Sequence, residues 1–225
     1  MIVKKFDVFL EKFREPKKPV STYFTKRINI SKIELENICN KMDIPFEGIK
    51  FLSSGQYGNA YKVGDKVLKI TSDRLEAKTV FNMIKSGQYE GVVKYYKVVK
   101  YDDVYLILME HLYTLDKYIK KIDDDLDYLY KITEMIYDNW ASISSKETLE
   151  KIIEDVYDVP KHGFKRYIIN KLWNLINKLK KNFKDKRELD IHPHNIGFNK
   201  NMELLIFDIR NDSNRQKFND IETIK

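Results

Sequence analysis

Apolar and polar residues fall in short alternating runs along the first half of the chain and change to a helical spacing in the second. Ser31-Lys32-Ile33-Glu34 has the Ser-x-x-Glu form of a capping box, in which each side chain satisfies a backbone N–H that the first helical turn leaves free. It opens a predicted helix through Met42 whose inward face would carry Ile33, Leu35, Ile38 and Met42. After Pro45 the period falls to two. Lys50-Phe51-Leu52, Ala60-Tyr61-Lys62-Val63 and Lys66-Val67-Leu68-Lys69-Ile70 are β-type runs punctuated by Gly55, Gly58 and Gly64, as in an antiparallel meander. A helix is predicted from Ser72 to Lys85, capped by Ser72 or Asp73 and stopped by Gly87. Val92 to Lys100 and Val104 to Met109 then read as two strands joined by Tyr101-Asp102-Asp103. Beyond Leu112 the spacing is helical over Leu115 to Lys121, Leu126 to Ser142, Lys146 to Tyr157 and Phe164 to Phe183. A hairpin of Ile196 to Asn199 and Leu204 to Asp208 follows the last of these. The expected organisation is α+β: residues 1–45 a basic arm and helix, 46–112 five antiparallel strands with one inserted helix, and 113–225 a mostly helical unit.

Composition narrows this picture. With 225 residues and 43% apolar side chains the chain can bury an ordinary core. The single Cys39 excludes an internal disulfide and argues against a cysteine-built zinc site. No long apolar run spans a bilayer and the Met1-Ile2-Val3-Lys4-Lys5 start has no secretory character. A soluble cytoplasmic protein is expected, or one in the cytosol of a host cell if it is delivered there or encoded by a virus. The net charge of +7 is segregated: eleven acidic residues against three lysines lie between Asp123 and Asp158, and ten basic residues against Asp185 between Lys161 and Arg187. A basic helix of this kind reads first as a core helix with a solvated cationic face, so nucleic acid is not the expected partner. Docking of an acidic partner on it is the alternative. Asp123, Asp125, Asp127 and Glu134 have the offsets of a calcium loop, but Tyr128 stands where that loop needs glycine. Tyr95, Tyr96, Tyr101 and Tyr105 alternate as strand residues do and read as packing groups.

Two stretches carry chemistry. Ser53-Ser54-Gly55-Gln56-Tyr57-Gly58-Asn59-Ala60 joins two strands, and glycines there allow the backbone to approach a phosphate; a plain hairpin turn would use them as well. Lys69 in the next strand is either a solvent-facing residue or a cation aimed inward, which would need a carboxylate to hold it; Glu76 is the nearest candidate. Far downstream, Asp190-Ile191-His192-Pro193-His194-Asn195 is followed thirteen residues later by Asp208, at the end of the apolar run Leu204 to Phe207. A loop aspartate and asparagine beside a second aspartate leaving a buried strand can hold a metal-bound phosphate beside a hydroxyl nucleophile.

In this order the motifs resemble those of the protein-kinase-like superfamily, over about Phe51 to Asn211. The resemblance implies a bilobal fold, a five-stranded antiparallel lobe with one helix above a reduced, mostly helical lobe. It implies ATP and magnesium as cofactors, with Asp190 orienting or accepting the proton of the attacking hydroxyl, Asn195 and Asp208 holding the metal, and Lys69, paired with Glu76, neutralising phosphate. The adenine would lie under Leu52, Ala60 and Val67 with Gly197 below, beside the connecting segment of Met109, Glu110 and Leu112; Gly55 and Gly58 would cover the phosphates.

The departures shape the expected activity. Glu188-Leu189 replaces the usual His-Arg, so activation through a phosphorylated segment is not expected, and Phe207-Asp208-Ile209-Arg210 lacks the following glycine. Seventeen residues follow Asp208 in this sequence, so an activation segment and peptide-docking helices are not expected. The chain is thus similar to the minimal serine/threonine protein kinases of bacterial effectors, viruses and phages. A protein acceptor is implied, with an activating protein partner at the basic helix or acidic segment as a further option. Asp-x-His-Pro-x-Asn is also similar to aminoglycoside and choline phosphotransferases, which leaves a small-molecule kinase open. A catalytically idle kinase-like binding module is the third reading.

Overall fold

The structure, a computed structural model, describes residues 30–55, 57–87, 89–115, 127–156, 163–183 and 189–209. Residues 1–29 of the predicted arm, most of the predicted helix 115–121, the calcium-like Asp123 and Asp125, Arg210 and the residues after it lie outside these.

The chain is α+β. Helix α1 (Lys32–Met42) precedes strands β1 (Lys50–Ser54), β2 (Gly58–Val63) and β3 (Lys66–Thr71); helix α2 (Arg74–Ser86) leads to β4 (Tyr95–Tyr101) and β5 (Val104–Glu110). These strands form one antiparallel sheet in the order β1-β2-β3-β5-β4. A short β6 (Tyr113–Thr114) follows, then helices α3 (Asp127–Asp138), α4 (Lys146–Val156) and α5 (Gly163–Asn182), a 3-10 turn (Pro193–Asn195), β7 (Ile196–Phe198) and β8 (Leu204–Ile206). β6, β7 and β8 make a second, three-stranded sheet.

Both faces of the large sheet are covered, which is why the central strand β5 reads as a nearly unbroken apolar run. Leu68, Ile70, Leu106 and Leu108 pack with Ile38 and Met42 of α1 on one face. Val67, Ile107 and Met109, one residue out of phase, pack with Ala77, Val80 and Met83 of α2 on the other, in a core that continues through Trp140, Leu149, Leu172 and Ile176. The period of two therefore sends Lys69 to the same face as Val67, in a strand flanked on both sides. It is neither an edge nor a solvent-facing residue.

Ser31 caps α1 by accepting from the Glu34 N–H. The expectation that Ile33 faces inward is wrong: it is 74% exposed, whereas Ile38 and Met42 are buried. Five residues before Ile38, it lies about 140° around a helix of 3.6 residues per turn. Asp73, not Ser72, caps α2, its carboxylate accepting from the Leu75 and Glu76 N–H groups at 2.9 and 3.2 Å. The strand predicted from Val92 begins only at Tyr95, because residues 91–93 pair elsewhere. The Val93 N–H donates to the Ile206 carbonyl and the Ile206 N–H to the Gly91 carbonyl, both at 2.9 Å, stitching the lead-in of β4 to β8.

The cationic face of α5 is used within the chain. Lys171 donates to the Met202 carbonyl at 2.7 Å, Lys178 pairs with Glu203 and Lys181 with Glu90, while Lys180 donates to the Ile143 carbonyl and lies over the Trp140 ring. Among the described residues no helix is long and apolar enough to cross a membrane.

Candidate functional site

Three charged side chains meet where the large sheet faces β8. The Lys69 ammonium lies 2.6 Å from Glu76 Oε1 and 3.1 Å from Asp208 Oδ1. Glu76 stands in the first turn of α2, so the cap at Asp73 that starts the helix also sets the height at which Glu76 reaches β3. The Glu76 side chain is only 3% exposed. Burial raises its carboxyl from the ordinary 4.5 to about 7, against the pull of Lys69 and with a further push from Asp208. Burial alone would lower Lys69, but the two carboxylates outweigh it and raise the ammonium, so Lys69 stays charged. One cation between two carboxylates leaves a net negative charge, which a further cation at Asp208 would complement.

Asp208 has φ 61°, a left-handed conformation that costs an L-residue about 1–2 kcal/mol and that aspartate tolerates better than most. Asp43, at the other end of the chain, adopts it as a helix C-cap; Asp208 adopts it just beyond a strand, at the point where its carboxylate meets Lys69. Strain of this kind beside a charged cluster points toward a working residue.

The Asp190–Asn195 loop lies against this strand end. The Phe207 N–H donates to the Asn195 carbonyl at 2.9 Å and Leu189 bridges Ile209, so the loop is tied on both sides of Asp208. Within it Asn195 Nδ2 donates to Asp190 Oδ2 at 2.7 Å. That bond turns the amide oxygen of Asn195 away from Asp190 and makes it available to a cation. His192 Nδ1 accepts from the His194 N–H at 3.3 Å and shapes the turn. No cluster of three metal-ligating His, Cys, Asp or Glu side chains occurs among the described residues.

Beside the triad lies a mostly apolar cavity. It is lined by Leu52, Ala60, Val67 and Met109 of the sheet, by Val93, and by Glu110, Leu112 and Thr114, with Phe207, the residue before Asp208, also in the lining. Gly197, expected below a base, does not line the cavity, whereas Phe207 does. A Cβ on Gly197 would come within 2.8 Å of the Tyr113 carbonyl oxygen, so glycine there lets β6 lie close on β7. Gly58 has a packing role too, since a Cβ would meet the Ile70 carbonyl oxygen at 2.0 Å; around Gly55 there is open space, and its N–H closes the loop onto the Gly58 carbonyl. The Glu110 carboxyl is raised, first by burial, then with Lys200 opposing.

The structure thus brings Lys69, Glu76 and Asp208 into contact, ties Asp190 and Asn195 to the same strand end, and places Leu52, Ala60, Val67, Met109, Glu110 and Leu112 around one cavity. Val93, Tyr113, Thr114 and Phe207 were not anticipated as cavity residues. The Thr114 hydroxyl is buried with no hydrogen-bond partner among the described residues, an acceptor and donor available to a ligand. Oxygen donors of Asp208 and Asn195 are the type magnesium prefers, and the apolar slot with one orphan hydroxyl suits a nucleoside, so the residues present fit both groups. No protein-family model matches the chain, and no curated protein matches it.

Proposed function

We propose that this chain is an ATP- and magnesium-dependent phosphotransferase of protein-kinase-like, bilobal architecture, acting as a minimal serine/threonine protein kinase. The observation that carries the reading is the Lys69–Glu76–Asp208 triad, next in sequence to the Phe207 that lines an apolar cavity, with the Asp190–Asn195 pair tied to the same strand end. Lys69, held by Glu76, presents its ammonium to phosphate oxygens. Asn195 and Asp208 hold magnesium, which when bound offsets the negative charge of the phosphates. Asp190, oriented by Asn195, takes the proton of the acceptor hydroxyl as its oxygen bonds to the γ-phosphorus and the bond to the β-phosphate oxygen breaks, releasing ADP. Electrostatics and positioning supply the catalysis.

His192 favours a second acceptor class, a small hydroxyl compound, since the Asp-x-His-Pro-x-Asn form is similar to that of aminoglycoside and choline phosphotransferases. Incubation with γ-labelled ATP and magnesium, separately with whole lysate and a small-molecule fraction, tests both: label on protein supports the first, label on a solute the second. Asp190→Ala must abolish either. Label on neither, with wild-type protein, would sink the enzyme reading.

A further inference from the structure

One serine between Lys69 and Glu76 takes no part in the proposed reaction and does not cap α2. Ser72 follows the last residue of β3 and precedes Asp73, whose carboxylate makes the cap. Its polar groups turn instead to the glycine loop: the Ser72 N–H and Oγ both donate to the Tyr57 carbonyl, at 2.8 and 3.1 Å. A carbonyl oxygen has two lone pairs, and Ser72 supplies a donor for each. Gly58 and Gly55 are tied to the same place. Gly58 pairs with Thr71 and lies so close to β3 that a Cβ would stand 2.0 Å from the Ile70 carbonyl oxygen, and the Gly55 N–H donates to the Gly58 carbonyl at 2.8 Å.

We propose that Ser72 is a positioning residue for the glycine loop: its hydroxyl holds the Tyr57 carbonyl and so sets where Gly55, Tyr57 and Gly58 stand relative to Lys69 and the phosphates. The inference rests on the proposed nucleotide reading. Because a peptide unit is planar, fixing the Tyr57 carbonyl also fixes the plane that carries the Gly58 N–H. Glycine restrains its own backbone least, so an anchor outside the loop decides where the loop lies. That anchor sits on the stretch that bears the charged pair: Lys69 comes three residues before Ser72 and Glu76 four after it. Loop and lysine are thus held to one piece of chain, and a loop ordered in advance loses less conformational freedom when phosphates bind. The cap of α2 does not use the Ser72 hydroxyl. The Asp73 N–H donates to Thr71 Oγ1, and Asp73 Oδ1 accepts from the Leu75 and Glu76 N–H groups, so removing that hydroxyl leaves Glu76 in place.

The test is titration of wild type, Ser72→Ala and Ser72→Thr with adenosine, and with ATP at saturating magnesium. Ser72→Ala is expected to bind adenosine as wild type does and ATP about fivefold more weakly, the size of one lost hydrogen bond. Ser72→Thr keeps a hydroxyl and is expected to restore the ATP affinity. Undiminished ATP affinity in Ser72→Ala overturns the proposal, as does an equal loss for adenosine and ATP, which marks general repacking, or a threonine variant no better than alanine. Wild type that binds magnesium ATP no more tightly than adenosine overturns the nucleotide reading and this inference together, an outcome distinct from the others. Amide exchange at Gly55 in the ligand-free proteins needs no nucleotide: faster exchange is expected in Ser72→Ala than in wild type, and equal rates overturn the proposal.

Discussion

Glu76→Gln removes a charge that burial disfavours while keeping the side-chain shape and one oxygen for Lys69. In the folded protein the Glu76 carboxyl rises from 4.5 to about 7, so it binds its proton more tightly folded than unfolded. The stability this contributes is fully present below 4.5 and is lost as pH rises through about 7. Between about pH 5 and about pH 8 the loss is on the order of 2–3 kcal/mol, from 1.36 kcal/mol per tenfold change in proton binding. Glutamine does not titrate. The other ionisable groups are common to both proteins, so the stability difference should move by roughly 2–3 kcal/mol in favour of the variant over that range. Urea unfolding followed by tryptophan fluorescence at the two pH values measures it, with the slope against urea unchanged. The same variant should bind ATP with magnesium about tenfold more weakly at the higher pH, because Lys69 loses its charged partner. A difference that stays constant between the two pH values, or shifts toward wild type, would refute the argument that Glu76 is an uncomfortable buried charge.

Further outcomes follow from backbone geometry. Gly58→Ala places a Cβ 2.0 Å from the Ile70 carbonyl oxygen, which β2 and β3 cannot accommodate without parting; a loss of about 3 kcal/mol is expected in thermal or urea unfolding. Asp43→Gly should stabilise by about 1 kcal/mol, because the residue caps α1 in the left-handed region and puts a negative charge at a helix C-terminus. An unchanged or lower melting temperature would contradict that account.

Legibility in the sequence followed length scale. Strands that alternate over five or six residues and helices with caps were readable, as were Lys69 and Glu76, because the period of two and the cap at Asp73 set which way each side chain faces. Contacts made by two or three residues at long range were not. β6 has two residues and no periodicity of its own; it exists because Gly197 lets Tyr113 and Thr114 approach β7. Val92 and Val93 look like the start of β4 and pair with β8 instead, a choice made by the fold and invisible in local pattern. Ile33 shows the reverse error, an apolar residue counted into a stripe from which it lies half a turn away. α5 reads in the sequence first as a core helix with a solvated cationic face, yet Lys171, Lys178, Lys180 and Lys181 each bind a neighbouring segment of the same chain.

The central claim is that Lys69 and Asp208 hold a magnesium nucleotide. Isothermal titration of ATP, with and without magnesium, into wild type, Lys69→Ala and Asp208→Ala tests it most directly. The account predicts binding by wild type that strengthens with magnesium, a large loss of affinity in Lys69→Ala, and a magnesium response that disappears in Asp208→Ala. Wild-type affinity in both variants would contradict it.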